Sequence, residues 1–129
     1  MGSDGDVTRM PSRFDDGVAL FNDGRFFEAH EAFEDLLDEV EEDGRWDLLI
    51  ALIQVAVGYH KLASSHAGSA RMLGLGLAKL GAFADRAWGV DVAALRGRVA
   101  ADVAALDTDE EAASRLIDSP PRIELATQA

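Results

Sequence analysis

A histidine lies among phenylalanines in the segment GRFFEAHEAFEDLL, Gly24 to Leu37. His30 is followed four positions later by Glu34. On a helix this spacing stacks the imidazole and the carboxylate on one side, close enough to share a proton, a metal ion or a polar group of a substrate. If the pair is catalytic, we expect Glu34 to orient or ionise His30 as a base.

Helical periodicity predicts where these two side chains lie. At 100° per residue, His30 falls within an apolar stripe about 80° wide, and Glu34 lies at its border. The spacing therefore predicts His30 on the buried face of the helix. The stripe comprises Phe26, His30, Phe33, Leu37 and Val40.

A third polar residue, Gln54, interrupts an otherwise apolar run over residues 48–57. If the Asp-Gly turn at 43–44 makes the two helices antiparallel, Gln54 faces the level of Glu34. We therefore expect His30, Glu34 and Gln54 to form a binding site between two helices, where bundles build their sites. The alternative is structural, because buried histidines and glutamines are often core groups with satisfied hydrogen bonds.

A divalent metal ion is one ligand that this pattern suggests. His30 and Glu34 would supply two ligands, and His60, expected near Phe27 one helical turn beyond the level of His30, is the nearest third. His60 is nevertheless a weak candidate, because it points about 120° away from Gln54 around the helix. The segment HEAFE is also not the HExxH motif of zinc proteases, since Glu34 replaces the second histidine. His66 is expected to be exposed in a loop.

The segments ALFNDGRFFEAHEAFEDLL, LLIALIQVAVGYHKL and GSARML resemble domain-of-unknown-function family 309, a group of small all-helical bacterial and archaeal proteins. The resemblance covers about Phe14 to Leu80. The family signature, His-x-x-x-Glu-x-x-Trp/Tyr, is matched at His30 and Glu34, whereas Leu37 replaces the aromatic residue. The resemblance implies an all-helical fold and a metal-binding motif, and it implies no reaction, so it leaves open whether the chain is an enzyme.

The same segment also resembles the second helix of a tetratricopeptide unit, with Gly24, Phe26, Ala29 and Phe33 in suitable places. Solenoids of this kind need about three or more units at a period of about 34 residues, and no second unit is found. The alternative function is therefore a non-enzymatic protein-interaction module that binds a partner protein. In that case His30 and Glu34 are structural.

The chain as a whole predicts an all-α, antiparallel up-and-down bundle of about five helices plus a short C-terminal helix. Apolar residues recur at the helical period throughout, and no strand with period two is found. We expect a flexible acidic segment at 1–11, a single bundle domain at 12–118 and a loose tail at 119–129. The expected helices are 13–21, 25–42, 45–64, 69–87, 91–106 and a short last one.

Composition limits the partners and the location. The 129 residues carry a net charge of −12, which makes nucleic acid and anionic membranes poor partners. The longest apolar run is too short to span a bilayer, and there is no signal sequence and no cysteine, so we expect a cytoplasmic protein.

The excess of acids favours a surface adapted to concentrated salt, as in halophilic proteins, over a docking face for a basic partner. The apolar third helix and the glycine-rich fourth suggest a homodimer.

Overall fold

The computed structural model describes residues 10–65, 67–109 and 111–125. Six helices account for most of this part of the chain, so the predicted all-α class is confirmed. Residues 1–9 of the expected flexible segment, and His66, lie outside the described residues. The helices are α1 (Phe14–Asn22), α2 (Phe26–Leu36), α3 (Gly44–Ser64), α4 (Ser69–Leu80), α5 (Val92–Thr108) and α6 (Ala112–Asp118).

Helix α3 is the centre of the bundle, and α2 and α4 pack antiparallel against two of its faces. Towards α2, the rings of Phe26 and Tyr59 lie 5.5 Å apart. Towards α4, Gly58 leaves room for Leu73, whose Cδ2 would come within 2.6 Å of an added Cβ. The core residues of α3 are Leu48, Leu49, Ala51, Leu52, Val55, Ala56, Tyr59 and Leu62.

Two helices end earlier than predicted. Helix α2 ends at Leu36 and continues only as a 3-10 turn, Leu37–Glu39, instead of reaching Glu42. Five of the six residues from 38 to 43 are acids. Negative charge at a helix C-terminus opposes the helix dipole, which accounts for the early end.

Helix α4 ends at Leu80 instead of Ala87 because its last carbonyl groups find a distant partner. Nη1 of Arg96 donates to the carbonyl oxygens of Leu80 and Phe83 at 3.1 and 3.2 Å. This bond satisfies groups that a helix end otherwise leaves without a partner. The helical periodicity of α4 does not indicate a hydrogen-bond donor that lies sixteen residues further along the chain.

A two-stranded antiparallel hairpin, β1 (Arg86–Ala87) and β2 (Val90–Asp91), joins α4 to α5. The sequence pattern predicted no strand. Trp88 and Gly89 form the two-residue turn, and both have positive φ, 46° and 82°. Two consecutive residues with positive φ make the turn that suits the twist of a hairpin. Each strand is too short to show alternation, so the hairpin was missed.

The segment 119–125, here called the strap, belongs to the tail that was expected to be loose, and in the structure it contacts the bundle. Ile123 is only 1% exposed. The side chain of Asn22 donates to its carbonyl oxygen at 3.0 Å and accepts from its backbone N–H at 2.7 Å. The backbone N–H of Asp91 donates to the carbonyl of Glu124 at 2.9 Å. Residues 126–129 lie outside the described part.

A buried polar network connects three elements. The hydroxyl of Tyr59 on α3 donates to Oδ2 of Asp102 on α5 at 2.6 Å. Nε of Arg98 donates to both carboxylate oxygens of Asp102 at 3.1 and 2.9 Å, and its Nη2 donates to the carbonyl of Ser119. The buried carboxylate is therefore paired with a cation and a hydroxyl, as burial of a charge requires.

Among the described residues, none of the helices has both the length and the apolar character needed to cross a bilayer.

The titration of Tyr59 tests the network directly, because Tyr59 is the only tyrosine of the chain. Burial, and the hydrogen bond to the Asp102 carboxylate, raise the pKa of Tyr59 in the folded protein above its ordinary value of 10.0. The stability linked to this shift is complete below the unfolded-state pKa and is lost as the pH rises towards the folded-state pKa. We expect phenolate absorbance to appear only together with loss of helical circular dichroism above about pH 10.

Tyr59→Phe should lower the free energy of unfolding at neutral pH by about 1–3 kcal/mol, since Asp102 loses a buried donor. The same variant should show a smaller fall in stability at alkaline pH. Gradual phenolate formation near pH 10 in a protein that stays fully helical would show that the hydroxyl is not buried against Asp102.

Candidate functional site

His30 on α2 has one ring nitrogen fixed by the backbone of its own helix. Nδ1 lies 2.9 Å from the carbonyl oxygen of Phe27. A carbonyl oxygen only accepts, so Nδ1 carries the hydrogen and donates it. In the neutral ring Nε2 then has a free lone pair.

The free nitrogen faces a carboxylate. Nε2 of His30 lies 3.4 Å from Oε1 of Glu34, and the two side chains are 17% and 53% exposed. A lone pair and a carboxylate oxygen are both acceptors, so a proton, a donor group or a metal ion between them would be held by both.

His30 is mostly buried, with its side chain 17% exposed. The fully buried residues of α2, namely Phe26, Ala29, Phe33 and Leu36, form a stripe beside it that differs from the predicted one. The predicted stripe and the observed one share both phenylalanines, so periodicity alone could not choose between them. His30 lies at the edge of the core, where a solute can reach it.

Phe27 links His30 to the second histidine. Its ring centroid lies 5.1 Å from that of His30 and 5.2 Å from that of His60. The expectation that His60 lies near Phe27 is thus confirmed. Phe27 is 48% exposed, which is high for a large apolar side chain.

The structure does not extend the pair to a third metal ligand. Within residues 10–65, 67–109 and 111–125, no group of three or more histidine, aspartate or glutamate side chains could hold a metal ion. His60 reaches the site through contact with the Phe27 ring and does not join a ligand set with His30 and Glu34.

Gln54 is not brought to the pair either. Its side chain is half-buried, and its Oε1 is buried without a hydrogen-bond partner. Gln54 lies about 120° around α3 from His60, one of the residues of α3 that contact α2. Its amide oxygen makes no hydrogen bond to the imidazole.

Two features of this region were missed from the sequence. The first is the exposure of Phe27. It follows from which of the two stripes of α2 is buried, because Phe27 lies outside that stripe. The second is the Tyr59–Asp102–Arg98 network. Its available signal was an isolated acid within the alanine-rich run of α5, with an arginine four positions earlier on the same helix face.

Comparison with known proteins found a family model that matches this region. Residues 14–73 match the model for DUF309, described as a domain of unknown function. The match contains α1, α2 and α3 and therefore the His30–Glu34 pair. The resemblance read from the sequence is confirmed over these residues. No match was found among curated proteins.

Replacing Gln54 tests whether its amide has a role in the site. Because its buried Oε1 accepts no hydrogen bond, Gln54→Met should be neutral or should stabilise the protein by up to about 1 kcal/mol. Denaturant unfolding measures this change. A loss of more than about 1 kcal/mol would mean that the amide makes a hydrogen bond that matters to the fold.

Proposed function

We propose that this protein binds a divalent metal ion through Nε2 of His30 and the carboxylate of Glu34, leaving positions on the ion for a small ligand. The observation that supports this most is the bond from Nδ1 of His30 to the carbonyl of Phe27. It directs a lone pair on Nε2 towards Glu34, so that two acceptors face one position that a cation could occupy.

The chemistry of the two donors fits such an ion. Imidazole nitrogen and carboxylate oxygen are ordinary ligands of divalent zinc, manganese and nickel. Metal-binding histidines almost always donate their other ring N–H to a carbonyl, a carboxylate or water, and His30 already does so. The half-exposed carboxylate of Glu34 is accessible to an ion from solvent.

With two protein ligands the ion would keep several positions for water or a substrate group. A closed structural site uses four protein ligands, whereas an open one is the form that catalytic and ligand-binding sites take. A bound ion would supply Lewis acidity to such a ligand. The residues of this chain would hold the ion, and Phe27 would offer an apolar ring beside it.

Metal titration of the full chain tests the proposal, with cobalt, nickel and zinc ions as the probes. Calorimetry should show binding near one ion per chain, reversed by a chelator. His30→Ala and Glu34→Gln should each weaken binding at least about tenfold, because each removes one of only two protein ligands. Circular dichroism checks that both variants keep their helices.

His60→Ala is the matched control. It removes a histidine that contacts the same Phe27 ring but does not face Glu34. We expect this variant to bind the ion as the parent protein does. Absence of binding in the parent protein, or equal weakening in all three variants, would refute a site at His30 and Glu34.

A second candidate function is the protein-interaction module, favoured by the half-exposed ring of Phe27 between α2 and α3. In this case a second proton on His30 bridges it to Glu34, and both residues are structural. Metal ions then have no effect, and His30→Ala lowers the free energy of unfolding by about 1–3 kcal/mol. The titration above therefore separates the two candidates.

A further inference from the structure

The strap binds to the bundle in the manner of a separate peptide. Besides the bond from Arg98 to the carbonyl of Ser119, two groups of contacts hold it. The side-chain amide of Asn22 bonds to both backbone groups of Ile123. The backbone of β2 pairs with residues 124–125, through the bond from Asp91 N–H and a bridge between Val90 and Leu125.

These contacts recognise main chain and apolar anchors. Pro121 and Ile123 are buried, while Arg122 and Glu124 are exposed, which is the alternation of an extended segment on a surface. Addition of an extended peptide to a sheet edge, with one side chain in a pocket, is a general mode of peptide recognition. Nothing in such contacts requires the peptide to belong to the same chain.

The connection between the strap and the bundle is stiff. Helix α6 ends at Asp118, and Ser119 has an extended backbone, φ −132° and ψ 71°. Pro120 and Pro121 follow, and consecutive prolines exclude a helix and favour an extended chain. At about 3.1 Å per residue, the arm from Ser119 to Ile123 spans roughly 12 Å. Because this arm is stiff and extended, it cannot fold back against α6.

Pro120 and Pro121, here called the hinge, lie over a loosely packed part of the bundle. A mainly apolar pocket of about 130 Å³ lies under Pro120 and Pro121, with Phe26, Tyr59 and Ile117 in its wall. Ile117, in the wall of this pocket, is 39% exposed, and Leu125, in a separate surface depression, is 40% exposed. Exposed apolar side chains of this size are a surface that a second copy could cover.

We propose that two copies of this chain exchange straps, so that Ile123 of each copy lies against Asn22 and β2 of the other. Exchange keeps every hydrogen bond of the strap and closes the dimer by two-fold symmetry, which makes it a low-cost route to a dimer. Exchange must compete with a strap on the same chain, whose effective concentration is millimolar for a short linker. The dimer therefore forms at high protein concentration.

The absence of cysteine from the chain allows a direct test. Val90→Cys and Leu125→Cys are made in separate chains, mixed at about millimolar concentration, unfolded and refolded together, and then oxidised. Residues paired across an antiparallel bridge lie within disulfide range. Because each chain carries one cysteine, a disulfide between positions 90 and 125 can only join two copies. Peptide mapping by mass spectrometry identifies it.

Leu75→Cys mixed with Leu125→Cys is the matched control, since Leu75 is as exposed as Leu125, at 43%, and lies on α4. We expect the 90–125 bridge to exceed the 75–125 bridge at least about tenfold and to fall as the refolding concentration is lowered. Sedimentation of the unaltered chain should show a dimer under the same conditions.

Equal yields of the two bridges would overturn the proposal. Val90 is buried, so circular dichroism must show that Val90→Cys refolds. If it does not, Ala19→Cys replaces it, because Ala19 is exposed and lines the same surface depression as Leu125. A short bis-maleimide cross-linker then joins Ala19→Cys to Leu125→Cys, and the same comparison with Leu75→Cys decides.

Discussion

The packing of the other helices depends on the wide buried surface of α3. Ten of its 21 residues are buried, and they face more than half of its circumference. No single neighbour can cover so wide a surface, so α2 and α4 each take one side and α5 is bonded to it through Tyr59 and Asp102. The side chains with unusual environments lie at the edges of the surface that α2, α4 and α5 bury. His60 borders α2, and Gln54 is half-buried with an amide oxygen that finds no partner.

The His30–Glu34 pair belongs to the same edge. A histidine that lay deeper in the core would be enclosed by the phenylalanines, and a histidine that lay further out would be solvated. At the edge, the helix backbone fixes Nδ1 and the neighbouring turn supplies the carboxylate. A local arrangement of this kind needs only α2 to be formed and held, which α3 ensures. The pair, in contrast, offers two acceptors to a cation, a proton or a donor group from outside the protein.

Local patterns in the sequence predicted what depends on local chemistry. The helical class, the antiparallel pairing of α2 with α3, the His30–Glu34 contact and the family all follow from spacing within about sixty residues. Features that depend on distant contacts could not be predicted. Arg96 sets the end of α4 from the next helix, and Asn22 fixes Ile123 across 101 positions. Which of two stripes of α2 is fully buried could not be predicted either, since both contain Phe26 and Phe33.

The most direct test of the central claim is the protonation state of the ring nitrogens of His30, measured by nitrogen-15 NMR at a pH where the ring is neutral. Spectra of His60→Ala help to assign the signals. We expect Nδ1 to carry the hydrogen and Nε2 to be unprotonated, with Nε2 alone shifting when a divalent ion is added. A neutral ring protonated on Nε2 would contradict the claim, because Nε2–H would then satisfy Glu34 directly and no lone pair would remain for a metal ion.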